Sequence, residues 1–214
     1  MDGAALVIVD VQRDFLPGGS LAVPEGDQIV PVINKVMKQF DTNKIMATKD
    51  SHPIGHGSFA SAHDAEPFTM GELTGRPQMM WPDHCVANTI GWMFAQGLDD
   101  TVFKCVVLKG ENKDVDSYSG FADDGDVETT LLDELRFNDL PRDGTIYMCG
   151  LATDYCVKAT ALDGKARGFN VRVILDACRG VAPATTKGAL QEMYHDGIEF
   201  VNSDDLDKLI DPLE

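Results

Sequence analysis

Three side chains far apart in the chain could together break an amide bond: Cys156, Asp10 and Lys109. A thiol can attack a carbonyl carbon, a carboxylate can take the thiol proton and return it to a leaving amine, and an ammonium group favours both anions. That is the minimum set for acyl transfer through a thioester. Cys156 lies in the stretch TIYMCGLATDYCV, where a run of β-formers stops at Gly150 and helical composition begins at Thr153. A strand, a tight turn and a helix start would set the thiol in the first helical turn, where unpaired N–H groups and the macrodipole favour a thiolate. The same turn can aim the backbone N–H groups of Ala152 and Cys156 at a tetrahedral oxyanion. Without the cysteine, Asp10 and Lys109 would read as an ion pair at a sheet edge.

A second constellation suits a metal. Asp50, His52 and His56 stand close together in an otherwise irregular loop, and His84 follows in MMWPDHCV. One carboxylate and two imidazoles suit zinc, iron or manganese and leave positions for water or substrate. His52 and His84 rank ahead of His56, which could be a ligand or a partner of one. Phe15, Trp81, Tyr118 and Tyr155 lie in or beside the same loops and can wall a pocket for a flat ring. For any one of these rings, ordinary core packing explains the residue equally well.

The elements that must position these residues alternate along the chain. Apolar runs predict strands at 4–11, 44–48, 101–108, 145–149, 170–175 and 198–201. Helical spacing predicts helices from a cap at Asp27 through Phe40, over 127–136, from Thr153 to Arg167 with Gly168 as the stop, and over 185–195. Short helical turns are expected at 91–94 and 203–209, and 51–88 reads as an irregular excursion of the kind that carries function. The alternation predicts an α/β fold with a doubly wound, mainly parallel six-stranded sheet and helices on both faces. Ligands bind such sheets outside the carboxyl ends of the strands. Asp10, Asp50, Lys109 and Cys156 each stand at or just past such an end, so folding would gather them on one edge.

Composition narrows the classes. The 214 residues are expected to form one domain, 1–214, and 43% hydrophobic with 25% charged residues is ordinary for a globular protein. A net charge of −17 repels nucleic acid and anionic lipid, leaving a neutral small molecule as the expected partner, with a homo-oligomer compatible. No apolar run is long enough to span a membrane and the N-terminus has no basic leader, so an intracellular, cytoplasmic protein is expected. Five cysteines without CxxC spacing should stay reduced.

With these residues in view, the sequence resembles the nicotinamidases of the isochorismatase-like cysteine hydrolase family. The matching stretches are VIVDVQRDFLPGGSL, TKDSHPIGHGSFA, WPDHC, the Lys109-Gly110 pair, SYSGF and GLATDYCV, spread over nearly the whole chain. The resemblance implies a triad of Cys156, Asp10 and Lys109 and a divalent metal, zinc first, on Asp50, His52 and His84. It implies that this metal receives the pyridine nitrogen of nicotinamide, that the Leu151–Ala152 peptide is cis, and that the products, nicotinate and ammonia, feed NAD salvage. Phe15 and Trp81 match the positions that sandwich the ring, with Leu151, Tyr118 and Tyr155 as further expected substrate contacts. Two positions depart from the pattern. Ser58 stands where some members carry a further ligand histidine, and Tyr155 precedes the cysteine where others have histidine. Rival readings are hydrolysis of another small amide or carbamoyl compound, a two-His, one-carboxylate metal hydrolase or oxygenase with Cys156 structural, and a binding module without catalysis.

Overall fold

The computed structural model describes residues 3–213; Met1, Asp2 and Glu214 lie outside them. In chain order the strands are β1 (Ala4–Val9), β2 (Ile45–Asp50), β3 (Thr69–Leu73), β4 (Arg76–Met80), β5 (Cys105–Lys109), β6 (Thr145–Leu151), β7 (Asn170–Arg179) and β8 (Glu199–Val201). The helices are α1 (Ile29–Met37), α2 (Leu131–Phe137), α3 (Lys158–Ala166) and α4 (Pro183–His195).

Strand β1 is AALVIV and every residue of it is buried, which only a central strand covered on both faces allows. It pairs in parallel with β2 on one side and β6 on the other. The six-stranded sheet runs β5-β2-β1-β6-β7-β8, with every pairing parallel. The chain winds outward from β1 to β2 and β5, then returns to β6 and winds the other way. The reversal leaves a crevice at the carboxyl ends of β1 and β6, where such sheets bind ligands. Helix α1 seals one face by burying Ile29, Val30, Ile33, Val36 and Met37, each worth about 1.5–3 kcal/mol when fully buried. Among the described residues no helix is long and apolar enough to cross a membrane.

Several local expectations change. The excursion at 51–88 contains an antiparallel hairpin, β3–β4, closed by Thr74 and Gly75 at φ 50° and 82°. Two positive-φ residues make a turn that matches strand twist, but the hairpin's largely exposed strands leave little apolar alternation to read. Residues 91–94 form no helical turn: they run beside 12–14, with Gln12 and Phe94 in an antiparallel bridge. Asp27 is not the cap of α1 but sits inside a preceding 3-10 turn, and Gln28 takes the cap position without a side-chain bond. Helix α2 starts at Leu131 because 122–128 closes on itself in another bridge. The expected turn at 203–209 is not helical; Ser203 is held by Asp176, which accepts from its N–H at 2.8 Å and its hydroxyl at 2.6 Å.

Candidate active site

The carboxyl ends of β1, β2, β5 and β6 deliver the four residues expected there. Asp10 turns the chain out of β1 at φ 47° and is fully buried. Thr48 of β2 meets it twice, donating its hydroxyl proton to Asp10 Oδ1 at 2.6 Å and accepting from the Asp10 N–H at 3.3 Å. Lys109 ends β5 with its ammonium group wholly enclosed. Its Nζ donates to Asp50 Oδ1, to the Ser117 carbonyl at 2.9 Å and to Cys156 Sγ at 3.4 Å. Three donors are thereby used. Asp10 Oδ2, 2.9 Å from the same Nζ, is left buried without a hydrogen bond.

Cys156 lies in a single π-helical turn, Thr153–Val157, that leads into α3 rather than in an ordinary α-helical first turn. The Leu151–Ala152 peptide before it is cis. Asp154, buried in that turn, accepts from the N–H groups of Val181 and Ala182 at 2.9 and 3.3 Å and so ties the cysteine's turn to the start of α4. The electrostatics correct one expectation. Burial pushes the Cys156 thiol well above its ordinary range, and Lys109, pulling the other way, does not overcome it. Burial therefore favours the thiol form, and a nearby base has to take its proton. Burial also raises Asp10, to about 6, against the opposing charge of Lys109. Lys109 is lowered by burial but raised more by Asp10 and Asp50, which hold it charged.

Asp50 faces two ways. Its Oδ1 meets Lys109, while Oδ2 stands 3.8 Å from Nε2 of His52 and 3.8 Å from Nε2 of His84. His52 Nδ1 donates to the Gly110 carbonyl at 3.0 Å and His84 Nδ1 to the Pro82 carbonyl at 2.8 Å. Each imidazole thus keeps its proton on Nδ1 and turns a bare Nε2 toward the carboxylate. Burial, with His84 and His56 adding to it, holds His52 well below its ordinary value, in the neutral form a ligand needs. Donor atoms of Asp50, His52 and His84 all lie within 4.8 Å of one another, a set that fits a divalent cation.

His56 belongs to the protein rather than to this cluster. Its Nε2 donates to the Asn112 carbonyl at 2.9 Å, and Nδ1 accepts the Ser58 N–H at 3.1 Å and meets the Ser58 hydroxyl at 2.8 Å. Both ring nitrogens are occupied, and Ser58 serves as a hydrogen-bond partner to the histidine beside it.

A cavity opens onto Cys156, Asp50, His52 and His84. Phe15, Trp81, Tyr118 and Tyr155 line it, as expected. Trp81 donates its indole N–H to the Tyr118 hydroxyl at 3.0 Å and meets Tyr155 edge-on at 5.0 Å, so these rings brace one another. Leu151 departs from expectation: it is buried, lies beside Gly26 and does not line the cavity. Leu21, Val23, Val181 and Asp116 line it without having been singled out in the sequence. Asp116 is fixed by Gln78 Nε2 at 2.6 Å and the Ser117 N–H at 2.9 Å, contacts that no local pattern announces.

Fold and site define a doubly wound α/β protein with a thiol, a lysine and carboxylates gathered at the switch point of its sheet. The chain belongs to the isochorismatase family: the model described as "Isochorismatase domain" matches residues 4–205. It is similar to the nicotinamidase of Escherichia coli (strain K12), 48% identical over 90% of this chain and 92% of that protein. Among solved structures it is similar to a nicotinamidase and pyrazinamidase of Acinetobacter baumanii, with a TM-score of 0.90 and 38% identity over 96% of this chain and 99% of that one. It is also similar to the pyrazinamidase of Pyrococcus horikoshii in complex with zinc, with a TM-score of 0.76 and 40% identity over 94% of this chain and 99% of that one.

Proposed function

We propose that this chain is an amidohydrolase converting nicotinamide and water to nicotinate and ammonia through a thioester on Cys156, and that it thereby feeds NAD salvage. One observation carries the reading: the thiol site and the two-histidine, one-carboxylate cluster open into the same aromatic-walled cavity and meet at Asp50 and Lys109. A flat ring between aromatic side chains, with one end toward the histidines and its carboxamide toward the thiol, uses every part of that arrangement. The nicotinamidases to which the chain is similar support the same substrate.

Asp10 Oδ2 takes the Cys156 proton, and the sulfur attacks the carboxamide carbon. The N–H groups of Ala152 and Cys156 receive the resulting oxyanion. Asp10 returns the proton to the amide nitrogen as the C–N bond breaks, ammonia leaves, and the acyl group stays on sulfur. Asp10 then takes a proton from water, whose oxygen attacks the thioester; as the C–S bond breaks Asp10 gives that proton to the sulfur, which regenerates thiol and carboxylate, and the acid product leaves and loses its proton to solvent as nicotinate. Lys109 stays charged throughout and offsets the negative charge that moves between Asp10 and sulfur. A divalent metal on Asp50, His52 and His84, which we assign as zinc after the zinc-bound relative, supplies a Lewis acid for the pyridine nitrogen when bound.

The test is ammonia release from nicotinamide by the wild type and by Cys156→Ala, each with its metal content measured. Release by the wild type alone, at equal metal content, supports substrate and nucleophile together. No release from a folded, metal-loaded wild type overturns the substrate, and release by the variant overturns the nucleophile.

A further inference from the structure

Parallel pairing between β1 and β2 runs through Leu6–Ile45, Val7–Met46 and Ile8–Ala47. Beyond that point the positive φ of Asp10 turns the first chain away, while β2 continues to Asp50. On its other side Asp50 still has a neighbour, Lys109 of β5. On the side β1 has left, a side chain replaces the missing strand. Gln12 is fully buried; its Oε1 accepts the Asp50 N–H at 2.8 Å, and its Nε2 donates to the Asp50 carbonyl at 2.9 Å. The second Nε2 hydrogen goes to the Trp92 carbonyl at 3.0 Å, on the segment that runs beside 12–14.

A primary amide carries donor and acceptor on one planar group, so it can pair with a residue's N–H and C=O as a neighbouring peptide would. With Oε1 accepting and both Nε2 hydrogens committed, the orientation of the amide is determined by its partners. A carboxylate of the same length could not donate to the two carbonyls, and an apolar side chain would leave the N–H and C=O of the buried Asp50 and the C=O of the half-buried Trp92 without this partner.

The bonds fall on the backbone of Asp50, whose two carboxylate oxygens face different partners, Lys109 through Oδ1 and the two Nε2 atoms through Oδ2. A small rotation of the Asp50 backbone would move both oxygens at once. We infer that Gln12 is a positioning residue for the metal site: its side-chain amide acts as a surrogate strand that holds Asp50 in the orientation joining His52 and His84 to Lys109. The inference rests on reading Asp50 as a metal ligand, but not on what the enzyme hydrolyses.

The test is zinc affinity, measured by competition with a chromophoric chelator in the absence of any substrate. Gln12→Met keeps the length of the side chain and removes the amide; its zinc affinity is expected to fall about 10- to 100-fold, the usual cost of losing a residue that orients a ligand. In an Asp50→Ala background the same substitution should have little further effect, because its route to the metal is gone. Zinc affinity unchanged in a folded Gln12→Met, or an equal loss in both backgrounds, overturns the inference. If Gln12→Met does not fold, Gln12→Glu, which keeps only the acceptor, is read by the same two criteria. A measurement on the wild type needs no variant: in glutamine-15N-labelled protein both Gln12 amide hydrogens should exchange slowly and shift on zinc addition. Rapid exchange or unmoved resonances would overturn it as well. If Asp50→Ala itself leaves zinc affinity intact, the reading of Asp50 as a ligand has failed, a result distinct from failure of Gln12 alone.

Discussion

Asp10 Oδ2 forms a buried ion pair with Lys109 Nζ at 2.9 Å, while the ammonium group also donates to Asp50, Ser117 and Cys156. Thr48 already donates to Oδ1, which leaves Oδ2 as the oxygen with no hydroxyl donor on it to receive a proton. Asp10→Asn keeps the shape and removes that basicity. Ammonia release should fall about 10²- to 10⁴-fold, the range of general acid–base contributions, with zinc content unchanged. A variant rate close to wild type would show that another group takes the thiol proton.

The pH dependence follows from the same carboxylate. A base must be ionised to accept a proton, and burial places Asp10 at about 6 rather than 3.8. The rate should therefore be full above that value and fall tenfold per unit below it. The sign for folding is opposite: an acid raised in the folded state makes its ionised form a cost, which grows as pH rises from 3.8 to about 6. Thr48→Val removes the hydroxyl that favours the ionised form and should move the acid limb of kcat/KM up by about one unit. A pH–rate profile with an unmoved limb would dissociate Thr48 from the base.

His56 separates ligand from scaffold. His56→Leu leaves the buried Ser58 N–H and the Asn112 carbonyl without their ring partners. The expected cost is about 2–3 kcal/mol, a drop in Tm of roughly 5–10 °C for a chain of this size, with zinc stoichiometry unchanged. Calorimetry and metal analysis on one preparation decide it; lost zinc at unchanged Tm would make His56 a ligand after all.

Metal removal should abolish turnover without abolishing the thiol's reactivity. After chelation, ammonia release is expected to disappear and to return on zinc addition, while iodoacetamide still alkylates Cys156 beside Lys109. Full turnover by the stripped protein would leave the aromatic walls as the only means of orienting the ring.

Asp10, Asp50 and Lys109 were legible because each interrupts or closes a short apolar run, which puts it at a strand end, and Cys156 because it follows a strand, a tight turn and a helix start. Gln12, Thr48 and Asp116 were not, because their partners Asp50, Asp10 and Gln78 each lie 38 positions away. The hairpin β3–β4 escaped notice for a related reason: its mostly exposed strands bury too little to impose an apolar alternation.

The sequence by itself determined the order of strands and helices, the edge of the sheet that would carry chemistry, and the residue types that meet there. Apolar periodicity and chain punctuation are local, and the crossover rule for parallel sheets turns them into a layout. Only the tertiary structure decided what each atom does: that His56 turns inward to carbonyls, that Leu151 does not line the cavity, and that burial favours the thiol form of Cys156. It also decided that Asp10 shares Lys109 with Asp50. Burial and hydrogen-bond direction come from partners distant in sequence, and these govern proton affinity and free valence more strongly than residue type does.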